Sequence, residues 1–298
     1  MTPTMLSFIV VLWLFASLPL TASFSAEHRV CQSPGCLDDG ASETLDYLTS
    51  LAPPGIHVRK GKCVSLCGAG PVVEIVSKDG SSTKEKKVTG EKMSTLLLGW
   101  LREWHESYDG DVLKPYQITG LVQGYEESIQ ARDAYEAKDF EGALELCTFA
   151  IQDARKPALL LQEARDRAGC DSNEELGFPA EMRWLVETFK MSCRCRLALG
   201  DAEKARSDAF AATIFSKNSD PDAHECLAEV CKASRDLIGE LQALKAAVAQ
   251  YNRIEELCSK PQPGADAPSR AQNTQRKMKA AARKREIGFR INSLTSKI

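Results

Sequence analysis

The chain has no Cys-x-x-Cys pair, no serine nucleophile elbow, no phosphate loop and no dinucleotide fingerprint, and its four histidines, at 28, 57, 105 and 224, stand apart. Each absence removes a class of chemistry. A serine hydrolase needs the elbow, and Gly35-Cys36 and Gly68-x-Gly70 are too short to cradle a phosphate, so neither hydrolase nor kinase activity has support. A dithiol oxidoreductase ordinarily attacks through Cys-x-x-Cys and is disfavoured for the same reason. Strong net charge is also lacking, at −3 overall, but the balance is uneven. Residues 270 to 290 carry eight Lys or Arg against one Glu, which makes that stretch +7 and the remainder −10. No aromatic interleaving or recognition motif accompanies these cations, so no specific nucleic acid is expected.

At 298 residues and 43% hydrophobic, the chain can bury two cores without crosslinks. Met5 to Leu20 is almost uninterrupted apolar sequence, followed by the small Thr21, Ala22 and Ser23. Residues 1–23 therefore read as a cleavable signal or targeting peptide, with a retained membrane anchor as the alternative. Eleven cysteines behind such a segment suggest secretion, yet their odd count and scattered spacings suit a disulfide framework poorly. Ala22-Ser23-Phe24-Ser25 resembles the junction of bipartite presequences in algae with secondary plastids, which implies a plastid of secondary origin; the secretory pathway is the other destination. Cys31 follows Phe24 so closely that almost no transit peptide remains.

Between 28 and 107, short strand-like runs alternate with helical ones. His28-Arg29-Val30 leads into the first cysteines. Leu45, Leu48 and Leu51 predict a helix over 39–52, with Ser42 as N-cap and Pro53-Pro54-Gly55 as its stop. Ile56-His57-Val58 and Pro71 to Val76 predict strands, a turn follows at 78–82, and Lys86-Lys87-Val88 is the expected returning edge strand. Leu96, Leu97, Trp100, Leu101 and Trp104 share one face of a closing helix over 93–104.

Residues 108–120 read as a linker, and over 121–258 the apolar period changes to that of helices. Ala131 to Leu144 is echoed by Cys195 to Ala205 and more faintly by Ser234 to Leu244. Ala143 and Ala205 lie 62 residues apart and Ala205 and Ala243 lie 38 apart, which implies an insertion over Arg155 to Pro179. These segments resemble tetratricopeptide repeats, helical hairpins whose small residues let paired helices approach closely. The resemblance implies a protein or peptide ligand. Residues 259–298 form a basic tail, expected to be a solvated terminal helix or flexible; its functional alternative is docking on an acidic partner or a membrane surface.

The informative cysteines come first: Cys31-x4-Cys36, then Cys63-x3-Cys67 followed by Gly68-Ala69-Gly70-Pro71. Two short thiol grips, separated by a helix and a strand and backed by glycines, supply what an iron–sulfur cluster needs, four thiolates on loops. With the flanking strands, residues 28–107 resemble the thioredoxin-like [2Fe–2S] ferredoxins. That resemblance implies an α/β thioredoxin-like domain ahead of the all-α hairpin-repeat domain, a [2Fe–2S] cofactor, and Cys31, Cys36, Cys63 and Cys67 as ligands. A structural zinc suits four thiolates too, and the residues also allow disulfides or metal-free thiols. Cys193, Cys195, Cys226 and Cys231 do not cluster as a second site and read as small core residues.

The expected activity is one-electron transfer to a redox partner protein, without self-contained catalysis. The alternative is a repeat-based adaptor or assembly factor whose first domain is structural or redox-sensing.

Overall fold

The computed structural model describes residues 26–53, 56–63, 65–66, 69–76, 80–89, 91–107, 115–168, 174–175, 178–179, 182–260 and 267–298. The expected targeting segment 1–23, Cys67, Gly68, the first part of the expected linker (108–114) and part of the expected insertion lie outside the described residues. The chain divides into two compact units. One runs to Pro115 and takes in Leu159–Ala168; the other holds Tyr116–Ala158 and the residues described from 174 onward.

The first unit is a small mixed sheet with helices, in the order β1 (Ala26–Cys31), α1 (Pro34–Asp38), α2 (Ala41–Leu51), β2 (Ile56–Gly61), β3 (Val73–Val76), β4 (Ser82–Glu85) and α3 (Glu91–Ser107). Strand order is β2-β1-β3-β4. The β1–β2 pair is parallel and runs from Ala26↔Ile56 to Cys31↔Gly61, whereas β3 lies antiparallel to β1 and β4 antiparallel to β3. Alternation along β1 buries His28 and Val30, while Glu27 and Arg29 point away and pair with each other at 3.2 Å. Leu48 and Leu51 of α2 and Leu97 and Leu101 of α3 are fully buried, and Tyr47 Oη donates to Ser94 Oγ at 3.0 Å across the two helices.

Two local expectations shift. Helix α2 starts at Ala41, with Gly40 in the left-handed region (φ 93°) as its N-cap instead of Ser42. The edge strand is Ser82–Glu85, not 86–88. Lys87 turns the chain at φ 51°, and Val88 is buried outside the ladder, its N–H donating to Pro71 O at 3.0 Å and its carbonyl accepting from Thr44 Oγ1 at 2.8 Å.

The second unit is helical: α4 (Pro115–Glu136), α5 (Phe140–Ala168, its residues from Leu159 counted with the first unit), α6 (Arg183–Ala198), α7 (Ala202–Phe215), α8 (Pro221–Ala233), α9 (Leu237–Ser259) and α10 (Ala267–Thr295), with a two-stranded ribbon at Glu174–Glu175 and Phe178–Pro179 ahead of α6. Because α4 begins at Pro115, six residues expected in the linker are helical.

Three turns, at α4–α5, α6–α7 and α8–α9, are built alike. Lys138, Gly200 and Arg235 each adopt positive φ (64°, 83° and 58°). Asp139, Asp201 and Asp236 follow as N-caps, accepting from the N–H groups of Gly142, Lys204 and Gly239 at 3.0, 3.1 and 2.9 Å. Their own N–H groups close back on the carbonyls of Ala134, Arg196 and Cys231 at 2.9, 2.8 and 2.8 Å, the bond that ends a helix in a left-handed residue. This register makes Ala131, Cys193 and Ala228 equivalent, and likewise Ala143, Ala205 and Glu240; all six are buried. The third hairpin is thus matched at Glu240 and not Ala243, so the second spacing is 35 residues while the first stays 62. The surplus lengthens α5 and forms the ribbon.

Helix α10 is packed, not frayed. Ala280, Ile287 and Leu294 join Leu244, Ala247, Tyr251 and Ile254 in one apolar cluster. Arg283 reaches Glu225, Lys284 reaches Glu255, and Arg290 binds Glu229 and Glu240, with Nε 2.7 Å from Glu240 Oε1.

Candidate metal centre

The parallel pairing of β1 and β2 sends both strands out at the same end of the sheet, and antiparallel β3 begins there. Cys31 closes β1 opposite Gly61, and Cys63 lies two residues beyond Gly61. Two backbone bonds fix the exit: Cys31 N–H donates to Val72 O at 2.9 Å, and Gln32 N–H to Gly61 O at 3.2 Å. The chain then winds into α1, where Pro34 at the first position suits a helix start, and this turn carries Cys36 back over the sheet end.

Cys31 and Cys36 are 2% and 1% exposed, whereas Cys63 is exposed. Cys31 Sγ lies 3.4 Å from Ser33 Oγ, and Cys36 Sγ lies 3.4 Å from Gly70 O. Burial pushes the Cys36 thiol up, and its contact with Cys31 adds to the rise. Gly70 sits at φ +74°, and a Cβ there would stand 3.3 Å from Lys87 Cα, so this loop needs glycine. The structure therefore brings Cys31, Cys36 and the Gly70-Pro71 turn together, and leads Cys63 out of the same sheet end. Cys67, expected as the fourth ligand, lies outside the described residues, and the described residues alone contain no group of three metal-ligating side chains.

This donor set fits a four-thiolate group in its chemistry. The buried Cys36 sulfur, its proton affinity raised, becomes a thiolate readily only beside a cation, and buried Cys31 lies beside it. Zinc and an iron–sulfur cluster both meet that description.

Sequence reasoning missed His28, three residues before Cys31. The residue is 2% exposed, its ring lies 3.9 Å from that of Trp100, and neither ring nitrogen has a hydrogen-bond partner among the described residues. Burial pulls its pKa down to about 4. The strand's alternation, which puts position 28 on the same face as Val30, was the available signal.

The remaining described thiols stand in the helical unit. Cys147 and Cys195 share one apolar cluster, and burial pushes them up to about 12 and about 11. Cys193 and Cys226 share another, where the hydrogen bond to Cys226 and then burial raise Cys193. These are core thiols.

Comparison with known proteins finds no matching family model, no similar curated protein and no similar solved structure.

Proposed function

We propose that the first unit is a thioredoxin-like [2Fe–2S] ferredoxin domain that carries one electron, and that the second is a tetratricopeptide-like array that selects its partner. The observation that carries this reading is the convergence of the Cys31, Cys36 and Gly70 segments, with Cys63 just beyond, at one end of the sheet. The strand, helix, strand, strand, strand, helix order expected for such a domain supports it, as do the three equivalent hairpin turns for the array.

Cys31, Cys36, Cys63 and Cys67 would hold the cluster, which supplies a reversible one-electron step when bound. The chain's own contribution is asymmetric. Cys31 and Cys36 anchor from the buried side, while Cys63 stands on the exposed side, where a redox partner protein would approach. Targeting through residues 1–23 to a plastid of secondary origin would bring the chain to a compartment that builds such clusters; secretion or membrane anchoring is the competing destination.

Anaerobic purification should yield a coloured protein with about two irons and two sulfides per chain. Cys63→Ser should abolish the visible spectrum, and Cys226→Ser should leave it intact. A colourless protein that cannot be reconstituted would sink the proposal. A second reading, a repeat-based adaptor or assembly factor with a zinc-bound or metal-free first domain, draws on the Cys36 Sγ contact with Gly70 O, which satisfies the thiol without a metal. One zinc per chain, or none with all thiols titratable, would favour it.

A further inference from the structure

We propose that the outward face of α10 docks this protein on an anionic lipid surface. The structure sorts seven of the helix's eight cations into two sets, with half-buried Arg276 apart from both. Arg283, Lys284 and Arg290 are spent on Glu225, Glu255, Glu229 and Glu240 of α8 and α9. Arg270, Lys277, Lys279 and Arg285 are exposed and make no ion pair among the described residues, and the helix's single acid, Glu286, is paired with Arg283. Internal pairing therefore leaves the surplus charge on the solvent side.

Apolar side chains stand among these cations. Phe289 and Met278 are 78% and 69% exposed, more than any other large apolar residue among those described. They lie eleven residues apart, about three turns or ~16 Å, and with Ala282 and Arg285 they form the stripe opposite buried Ala280, Ile287 and Leu294. A bound peptide needs a groove and a contiguous apolar patch, and this face is the convex side of one helix with its apolar groups separated. A headgroup layer takes such side chains one at a time while lysine and arginine meet its phosphates.

The test is co-sedimentation of the full chain with vesicles of phosphatidylcholine alone or containing about 30% phosphatidylserine, an anionic surface that adds attraction for each nearby cation. The apolar segment Met5 to Leu20 contributes to both, so the increment on adding phosphatidylserine reads the helix. The increment should vanish at high salt. Lys277→Gln/Lys279→Gln/Arg285→Gln should weaken it about a hundredfold, at roughly fivefold per cation. Met278→Ser/Phe289→Ser should weaken it about tenfold. Thermal melts unchanged by either set would show that the fold persists. No increment in the wild-type protein overturns the proposal, as does an increment that both variants retain. Tight binding of soluble polyglutamate, with vesicle binding indifferent to Met278→Ser/Phe289→Ser, would make an acidic polypeptide the partner and overturn it equally.

Discussion

In the first unit, Cys31 and Cys36 stand where β1 ends and β3 begins, Cys31 Sγ within reach of Ser33 Oγ and Cys36 Sγ of the carbonyl of Gly70, whose left-handed backbone favours glycine. In the second, Cys193 stands within a helix where the sister hairpins carry Ala131 and Ala228, and Cys147 where they carry Ala209 and Leu244. Both sets are buried, so burial does not separate them. Proximity does not either, since Cys193 and Cys226 also touch. Position does: at a helix crossing any residue of suitable volume serves, whereas at the strand ends the thiols stand on the segments that leave the sheet. The same contrast holds for charge. The repeat tolerates Glu240 at a small-residue position only because α10 brings Arg290 to it.

That substitution offers the largest stability effect. Arg290→Ala would leave Glu240, 3% exposed, buried without its cation, and should cost about 3 kcal/mol in chemical denaturation. Adding Glu240→Ala restores the residue of the other two hairpins and should recover at least half of the loss. If the double variant is as unstable as Arg290→Ala, the assigned equivalence of the three hairpins is wrong.

Next comes a pH effect confined to the first unit. His28 folds neutral with its pKa near 4, below an unfolded value of about 6.5, so between those values the unfolded chain binds more protons. The unit's stability is fully present above pH ~6.5 and is lost as the pH falls toward 4, by up to about 3 kcal/mol. Hydrogen exchange by mass spectrometry at stepped pH should show β1 and α3 losing protection in that window. His28→Phe, which keeps a ring against Trp100, should flatten the profile. A flat profile in the wild-type protein would count against the buried neutral ring.

Much of this was legible in the sequence where a local signal coincided with burial. The β-branched run ending at Val76 and the leucine spacing of α2 announced their elements, and the alanine echoes announced the hairpins. Strand β4 escaped because Ser82–Glu85 is exposed, so no alternation marks it, while Val88 imitates a strand residue although a turn buries it. Helix α1 is only five residues long, and its one signal was Ser33-Pro34. The packed α10 was hidden by its charge, yet Ala280, Ile287 and Leu294 recur every seven residues, the signature of a buried face. The third hairpin slipped by three residues because alanine was matched to alanine. Asp-x-x-Gly, shared by Asp139-Gly142 and Asp236-Gly239, marks the register better because both residues belong to the turn. At the site, spacing pointed to the cysteines, but the partnership of Cys36 with Gly70, 34 residues away, is a product of sheet topology.

The smallest effects come from glycines that look alike in sequence and should respond with opposite signs. Gly124 lies within α4, where a Cβ would come within 2.8 Å of both Ala150 O and Ala154 Cβ on α5. Backbone cannot yield as a flexible side chain can, so Gly124→Ala should destabilise by about 2 kcal/mol, the cost of overpacking outweighing the gain in helix propensity. Gly99 lies within α3, exposed, and a Cβ there meets nothing within 4 Å. Gly99→Ala removes conformational freedom from the unfolded chain without crowding the folded one, and should stabilise by about 1 kcal/mol. Urea titrations of both variants measure the difference. If Gly124→Ala also stabilised, the close approach of α4 to α5 would not exist in solution, and the argument that small residues hold the first hairpin together would fail with it.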